Sequence, residues 1–496
     1  MIKDILNMFK NVFGLFLLIF FSATTAVLAQ NFPTAKDVAE KMTIGWNIGN
    51  TMEALYTYQG QIVASETAWG NPQISQRLID SVKAAGFNTI RIPIAWDVHA
   101  TNNIIDAAWM ARVKQVVDYC YNQDLYVIIN IHWDNGWLEE NCTLAKKDAN
   151  NLKQAAYWNQ IATYFKNYDE HLLFASANEP HVADATEMSV LLSYHQTFVN
   201  TVRNTGGNNS QRILIVQGPA TDIEKTNNLM NTLPTDPASD RMMVEVHFYP
   251  YQFTLMEADA GWGNQFYYWG TCNRSTTDQA HNPTWGEEAF VDEMFQLMKT
   301  KFVDKGYPVL LGEFGARNRK NLTGANLALH KRSREYFLKY VTRSALNHGM
   351  IPVYWCAGLG ELFDRNTGAI LERGTVDALM AGAYTTLSTV NCGNNDCKGT
   401  QYGHAYTNEC GKCVLGFDND CTVTGIETND MPKQLNVYPN PATDNIYWNE
   451  ISDWALFNHL GEKIQSGNGN QATISAYPQG IYFITIKGET FKVLKK

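Results

Sequence analysis

Between residues 40 and 385, short apolar runs that end on polar or aromatic residues alternate with amphipathic stretches. The runs are TIGWNIGN (43–50), TIRIPIAW (89–96), LYVIINIHW (125–133), LLFASANEP (172–180), RILIVQG (212–218), MMVEVHFYP (242–250), PVLLGEFG (308–315) and MIPVYWCAG (350–358), eight in all. Each has the length and β-branched content of a buried strand. The stretches between them carry helical spacing. Ile74, Leu78, Val82 and Ala85 share one face of 72–86, which stops at Gly86. Trp109, Val113, Val116 and Cys120 do the same in 106–120, and Tyr336, Phe337, Tyr340 and Val341 in 328–349, which stops at Gly349. Eight strand–helix alternations predict an α/β fold, a (β/α)8 barrel. The rival is a doubly wound open sheet, which shows fewer repeats and a glycine-rich phosphate loop after an early strand. GWNIGN is not such a loop.

A barrel assignment gives the run endings a meaning, because barrel active sites form at the C-terminal ends of the strands. Those ends carry Arg91, His132, Asn178 with Glu179, His247 with Tyr249, Glu313, and Trp355, contributed by six strands. Each alone has an ordinary explanation: a packed histidine, a solvated loop carboxylate, an arginine in a structural ion pair. Together they place two carboxylates among aromatics and hydrogen-bond donors, an arrangement that is unfavourable unless it serves chemistry. Two carboxylates in an aromatic cleft suggest glycoside hydrolysis. Arg91 and Tyr249 are expected to keep Glu313 ionised, and Asn178 to donate to a sugar hydroxyl. Trp69, Trp96, Trp133, Trp137, Trp262, Trp269 and Trp355 are candidate flat surfaces for sugar rings, some of them simply loop core.

Composition changes this picture at the ends of the chain. The 496 residues include 39 basic and 49 acidic side chains, a formal charge of -10. That disfavours nucleic acid or an anionic membrane as the main partner and leaves neutral substrates open. Lys3 and Lys10 precede an apolar stretch from Val12 to Phe21, and Val27-Leu28-Ala29 offers small residues before Gln30, so residues 1–29 read as a signal peptide. Cys120 and Cys356 sit in apolar surroundings and are expected to be free core residues, whereas Cys142 and Cys272 fall in polar loops that leave their state open.

After the barrel (30–388) the texture shifts. Residues 389–425 are rich in Asn, Gly and Asp and hold Cys392, Cys397, Cys410, Cys413 and Cys421, which read as a small stapled linker module. The spacing of the first four also admits a zinc ribbon, disulfides suit an exported protein better, and the acidic content allows a weak calcium site. Residues 430–496 show short alternating strands between Pro, Asn and Gly turns, a small β-sandwich.

The ordered set GWNIGNTME, ETAWGNP, AAGFNTIRIP, INIHW, ANEP, HFYPY, GEFG and YW resembles glycoside hydrolase family 5, and especially its bacterial β-1,4-glucanases. The resemblance implies a retaining double displacement without a cofactor, with Glu179 as general acid/base and Glu313 as nucleophile. It also implies a sugar pocket of Arg91, His132, Asn178, His247, Tyr249 and Trp355, joined by Asn47 and Trp69. Departures are Trp133, where many relatives have a second histidine, and Glu53, where they have the shorter acid. YPNPATDNIYW, GIYFITI and KVLKK resemble the C-terminal sorting domain of the type IX secretion system of Bacteroidetes. The expectation is a monomeric enzyme exported through the periplasm to the outer-membrane surface or medium, acting on cellulose and related β-glucans. Xyloglucan, mixed-linkage glucan and mannan are alternative substrates, and a non-catalytic polysaccharide-binding barrel is the rival from another class.

Overall fold

The computed structural model describes residues 32–418 and 437–496, which fall into two compact units, one on each side of the Cys421–Thr422 junction. The signal peptide expected over residues 1–29 lies outside the described residues, as does Cys421.

The first unit is the expected barrel. Its strands are β1 (Gly45–Ile48), β2 (Thr89–Ile92), β3 (Tyr126–Asn130), β4 (Leu172–Ala175), β5 (Leu214–Gln217), β6 (Met242–Phe248), β7 (Val309–Phe314) and β8 (Met350–Cys356). All pair in parallel, and β1 closes the ring against both β2 and β8. The principal helices are α1 (Gln76–Ala84), α2 (Ala107–Tyr121), α3 (Lys147–Phe165), α4 (Ala185–Asn204), α5 (Ile223–Leu229), α6 (Glu288–Lys301), α7 (Gly324–Asn347) and α8 (Arg373–Tyr384). Alternation along each strand separates two cores. Ile128, Leu173, Ile215, Met243, Leu310 and Val353 fill the barrel, closed below by Ala35, Val38 and Met42. Val127, Phe174, Val216, Val244, Leu311 and Tyr354 point outward to the helices.

The helices begin where the sequence supplies caps. Ser75 accepts from the Leu78 amide and Asp106 from the Trp109 amide, so the first helix starts four residues later than its apolar pattern. Gly86 ends that region with φ +108°, and a β-carbon there would meet Phe417 at 2.6 Å. Phe417 belongs to the segment after α8, whose Tyr406 and Val414 enter the helical core. The zinc-ribbon alternative is overturned in this segment. Cys397 pairs with Cys413, Cys410 is also disulfide-bonded, and Cys392 pairs with Cys272 from the loop after β6. Cys392 thus finds its partner outside the segment, in the barrel. Cys142, like Cys120 and Cys356, is free and buried.

The second unit is a five-stranded antiparallel sheet. Its long strand Asn445–Phe457 shifts register between Tyr447 and Ser452 and pairs with Gly480–Ile486 only beyond that break. Side chains close around Ile446, Trp448, Leu456, Ile484 and Val493, in keeping with the small sandwich expected.

At the upper rim of the barrel, β7 departs from regular alternation. Its register against β6 shifts between the Val246–Leu311 and His247–Glu313 pairs. Leu311 and Phe314 both face the outer core, so Gly312 and Glu313 together face the inside. A β-carbon at Gly312 would lie 1.9 Å from Oε1 of Glu245 on β6. Gly312→Ala is therefore expected to destabilise the barrel by about 1–3 kcal/mol through overpacking and to displace Glu313. A melting temperature and turnover equal to those of the wild type would refute this. Cys272→Ser is expected to remove about 2–4 kcal/mol by opening a long covalent loop, measurable as a lower denaturant midpoint under oxidising conditions.

Candidate active site

Arg91 lies in the upper barrel and is fully buried. Position 91 faces inward because β2 alternates, and a guanidinium there needs several acceptors to offset lost hydration. Its Nη1 donates to Glu313 Oε1 (2.9 Å) and Asn47 Oδ1 (3.0 Å), and its Nη2 to Asn178 Oδ1 (2.8 Å). Its Nε is ion-paired with Glu245 Oε1 at 2.9 Å. Asn47 in turn donates from Nδ2 to the Gly312 carbonyl (2.8 Å), tying β1 to the β7 bulge.

Above this layer lie the two carboxylates. β4 ends at Ala175, and Ser176 to Pro180 form a polar exit in which the Pro180 carbonyl accepts from the Ala220 amide. That exit brings Glu179 to the rim, its side chain 38% exposed, whereas Glu313 is 8% exposed. Tyr249 OH donates to Glu313 Oε2 (3.2 Å), so both oxygens of Glu313 accept a hydrogen bond. His247 Nδ1 lies 2.6 Å from Glu179 Oε1, and its Nε2 lies 3.3 Å from Glu245 Oε1. Donor atoms of Glu179, His247 and Glu313 all fall within 4.8 Å of one another. That spacing would suit a cation, but Arg91 already compensates Glu313 and His247 is itself cationic.

The charges set the protonation pattern. Burial by itself lowers the pKa of His247, but Glu313, Glu179 and Glu245 outweigh it and raise the value to about 10. Burial raises Glu179, and the hydrogen bond and charge of His247, helped by Arg91, bring it below its ordinary value. Glu313 is raised, burial prevailing over His247 and Arg91. Between His247 and Glu179 the proton thus rests on His247 in the free site, and for Glu313 burial works against the ionisation that Arg91 and Tyr249 were expected to secure. His132 is held neutral, first by burial and then by the nearby Arg91 and His247. Its ring stacks on Trp355 at 5.9 Å with 10° between planes.

The structure therefore brings together Asn47, Arg91, His132, Asn178, Glu179, His247, Tyr249, Glu313 and Trp355. Trp69 stands apart from their hydrogen-bond network, half-buried with its indole nitrogen donating to the Leu55 carbonyl (2.6 Å). Three of the candidate sugar platforms are core: Trp96 and Trp269 are essentially inaccessible, and Trp137 is buried and bonded to Asp134. Asn178 Nδ2 does not point freely at substrate but donates to Glu139 (3.2 Å). Glu53 accepts from the Asn50 and Thr51 amides, a tie within its own loop.

Sequence reasoning missed Glu245 and Glu139. Glu245 precedes His247 by two residues in one strand, so the period of two could have placed it on the same face. It accepts from Gln217 Nε2 (2.6 Å) as well as meeting Arg91 and His247. Glu139 gave no local signal. It reaches Asn178 and the Glu179 amide (3.1 Å) from the loop after β3, and burial raises its pKa to about 7. A cavity of about 700 Å³ lies near the N-terminal ends of the strands, where its charged residues Lys36, Glu40, Asp304 and Glu409 are all exposed and the one ion pair among them, Lys36–Glu40 at 3.9 Å, is a surface contact along a single short helix.

Comparison with known proteins agrees with this arrangement. Residues 51–360 match the model of cellulase (glycosyl hydrolase family 5), and residues 436–496 match a secretion system C-terminal sorting domain. The chain is 37% identical over 378 residues to Endoglucanase A of Paenibacillus barcinonensis, covering 70% of this chain and 90% of that protein. It is 38% identical over 362 residues to a xyloglucan-specific endo-beta-1,4-glucanase of Bacteroides ovatus, covering 70% of each. Among solved structures, a Bacteroides ovatus family 5 xyloglucanase bound to a XXXG heptasaccharide aligns with TM-score 0.66 and 35% identity, over 72% of this chain and 78% of that one. A family 5 lichenase from Caldicellulosiruptor aligns with TM-score 0.61 and 31% identity, over 72% and 97%. With this fold, this paired-carboxylate mouth and these matches, the chain belongs to glycoside hydrolase family 5 and carries a type IX secretion sorting domain behind its barrel.

Proposed function

We propose that the protein is a retaining endo-β-1,4-glucanase in which Glu313 is the nucleophile and Glu179 the general acid/base. The observation that carries this is the spacing of the two carboxylates, with oxygens within 4.8 Å. Retaining enzymes hold their carboxyl groups roughly 5–5.5 Å apart, and inverting ones roughly 6.5–9.5 Å to admit a water. Glu313 suits the nucleophile because it is enclosed and both oxygens face donors, Arg91 and Tyr249. Glu179 suits the acid because it lies at the exposed rim, where a leaving group departs.

The working state needs the proton on Glu179. The 2.6 Å hydrogen bond from His247 Nδ1 supplies a path for it. A sugar covering the mouth excludes water, and a dry site favours imidazole with carboxylic acid over two opposite charges. His247 then keeps its other proton toward Glu245. Glu313 attacks the anomeric carbon while Glu179 protonates the departing oxygen, giving a glycosyl-enzyme. Glu179, now a carboxylate, takes a proton from the water that releases the sugar. His132, Trp355 and the Arg91-held Asn178 shape the pocket around the reacting sugar.

The β-1,4-glucan backbone is supported by the endoglucanase relatives. Xyloglucan is the second reading, favoured because solved structures of family 5 xyloglucanases align with TM-scores of 0.66 and 0.64. The sorting domain indicates export to the medium or cell surface, and no helix among the described residues is long and apolar enough to cross a membrane. We place the route through the periplasm and the working form as a monomer.

Products released from carboxymethyl-cellulose, xyloglucan, mixed-linkage glucan and mannan test the substrate. Internal cleavage of at least one β-1,4-glucan is expected, and binding without new reducing ends would overturn the enzyme assignment. Glu313→Gln should form no glycosyl-enzyme detectable by intact mass. Glu179→Ala should lose about 10²–10⁴-fold on natural glycans and far less on aryl glycosides with activated leaving groups; equal losses would count against the assigned roles. His247→Gln removes a positive charge beside both carboxylates, which raises both their pKa values. Both limbs of the kcat/KM–pH profile should therefore move alkaline by about one unit, and stationary limbs would contradict the proton path.

A further inference from the structure

The arm between β6 and α6, residues 251–287, is mounted rigidly. Trp269 is 1% exposed and packs on Tyr336 and Phe337 of α7. Arg319 donates to the carbonyls of Met256 (3.1 Å) and Gln252 (3.2 Å), and Cys272 is covalently bound to Cys392. Two indoles of this arm are open to solvent, Trp262 (69% exposed, against Tyr251) and Trp285, and Trp285 is the one tied by its ring nitrogen. Trp285 donates from Nε1 to Gln252 Oε1, and its ring meets Phe290 edge-on at 5.4 Å and 90° and Phe266 at 6.4 Å and 67°. It is nevertheless 41% exposed. An indole held in one orientation with a face open to solvent offers a flat apolar surface that a ring of matching shape can cover.

Trp285 borders a cavity of about 150 Å³ shared with Asp222, Glu224, His247, Tyr249 and Phe290. Two of these, His247 and Tyr249, are direct partners of the catalytic carboxylates, so the cavity continues the active-site mouth. It lies on the β5–β6 side. Glu179 faces the same side, since its Oε1 is approached by His247 of β6 and by Thr221 after β5 (3.5 Å). The acid protonates the leaving oxygen, so the leaving half of the substrate extends where the acid points. His132 and Trp355 stack together on the other side, toward β3 and β8.

We propose that Trp285 is the floor of an aglycone-side subsite, receiving the face of a glucosyl unit on the leaving-group side, with Asp222 and Glu224 at the rim as acceptors for its hydroxyls. This rests on the β-glucanase reading above and assigns its leaving-group specificity. The flat equatorial face of a β-glucosyl ring matches an indole, and exposed carboxylates match hydroxyl donors.

The experiment compares two substrates in the full-length enzyme. Cellohexaose places sugars on both sides of the cut, whereas β-cellobiosyl fluoride has no sugar on the leaving side. Trp285→Ala should lower kcat/KM on cellohexaose about ten-fold and leave that on the fluoride within about two-fold. Trp285→Tyr, which restores a flat ring, should recover most of the loss. Equal losses on both substrates would assign Trp285 a structural role only and overturn the subsite, as would an unchanged rate on cellohexaose. A wild-type enzyme inert toward both substrates would overturn the subsite for an unbranched glucosyl unit, and one inert also toward the four polysaccharides above would overturn the β-glucanase reading itself.

Discussion

The buried guanidinium of Arg91 organises the upper barrel. A charge with no access to water is tolerated only where its hydrogen-bonding directions are met, and here they are met from four different strands or strand exits. Asn47, Asn178, Glu245 and Glu313 are thereby fixed relative to one another, although 44 to 222 residues separate them from Arg91 along the chain. Because the acceptors belong to β1, β4, β6 and β7, any shift in barrel register would leave the charge unpaired. Fold and site are in this sense one constraint.

Glu245 and Gly312 show how closely that constraint is drawn. Glu245 needs the space a side chain at 312 would occupy, and the bulge that admits glycine there also turns Glu313 inward. The same Glu245 meets His247, which faces Glu179 through its other nitrogen. One buried acid thus links the group that holds Glu313 to the group that holds the proton for Glu179. Its own carboxyl stays below the ordinary range because Arg91, His247 and Gln217 together outweigh its burial.

The segment after α8 performs a different task. It buries Tyr406 and Val414 among the helices, packs Phe417 at a tilt against Tyr384, and reaches the β6–α6 arm through Cys392. The arm is long and mostly without regular structure, so its order comes from such anchors rather than from backbone pairing. An exported enzyme meets oxidising surroundings in which that covalent anchor persists.

The sequence by itself determined the barrel, because eight buried runs with intervening amphipathic helices satisfy few other topologies. It also determined which polar residues stand at strand ends, since a run that stops on Asn178-Glu179-Pro180 or on Glu313 declares its own boundary. Helix starts were legible only once capping side chains were identified, and the apolar stripe of 72–86 overran Ser75 for that reason. Contacts between distant strands were decided by tertiary structure alone. No local pattern marks Glu139, which reaches Glu179 from a loop, or separates Trp269 in the core from Trp285 at the surface. Cys272 joined Cys392 across 120 residues, a pairing invisible in spacing. Periodicity reports on the face a residue occupies within its own element, whereas partners depend on which elements the closed barrel brings side by side.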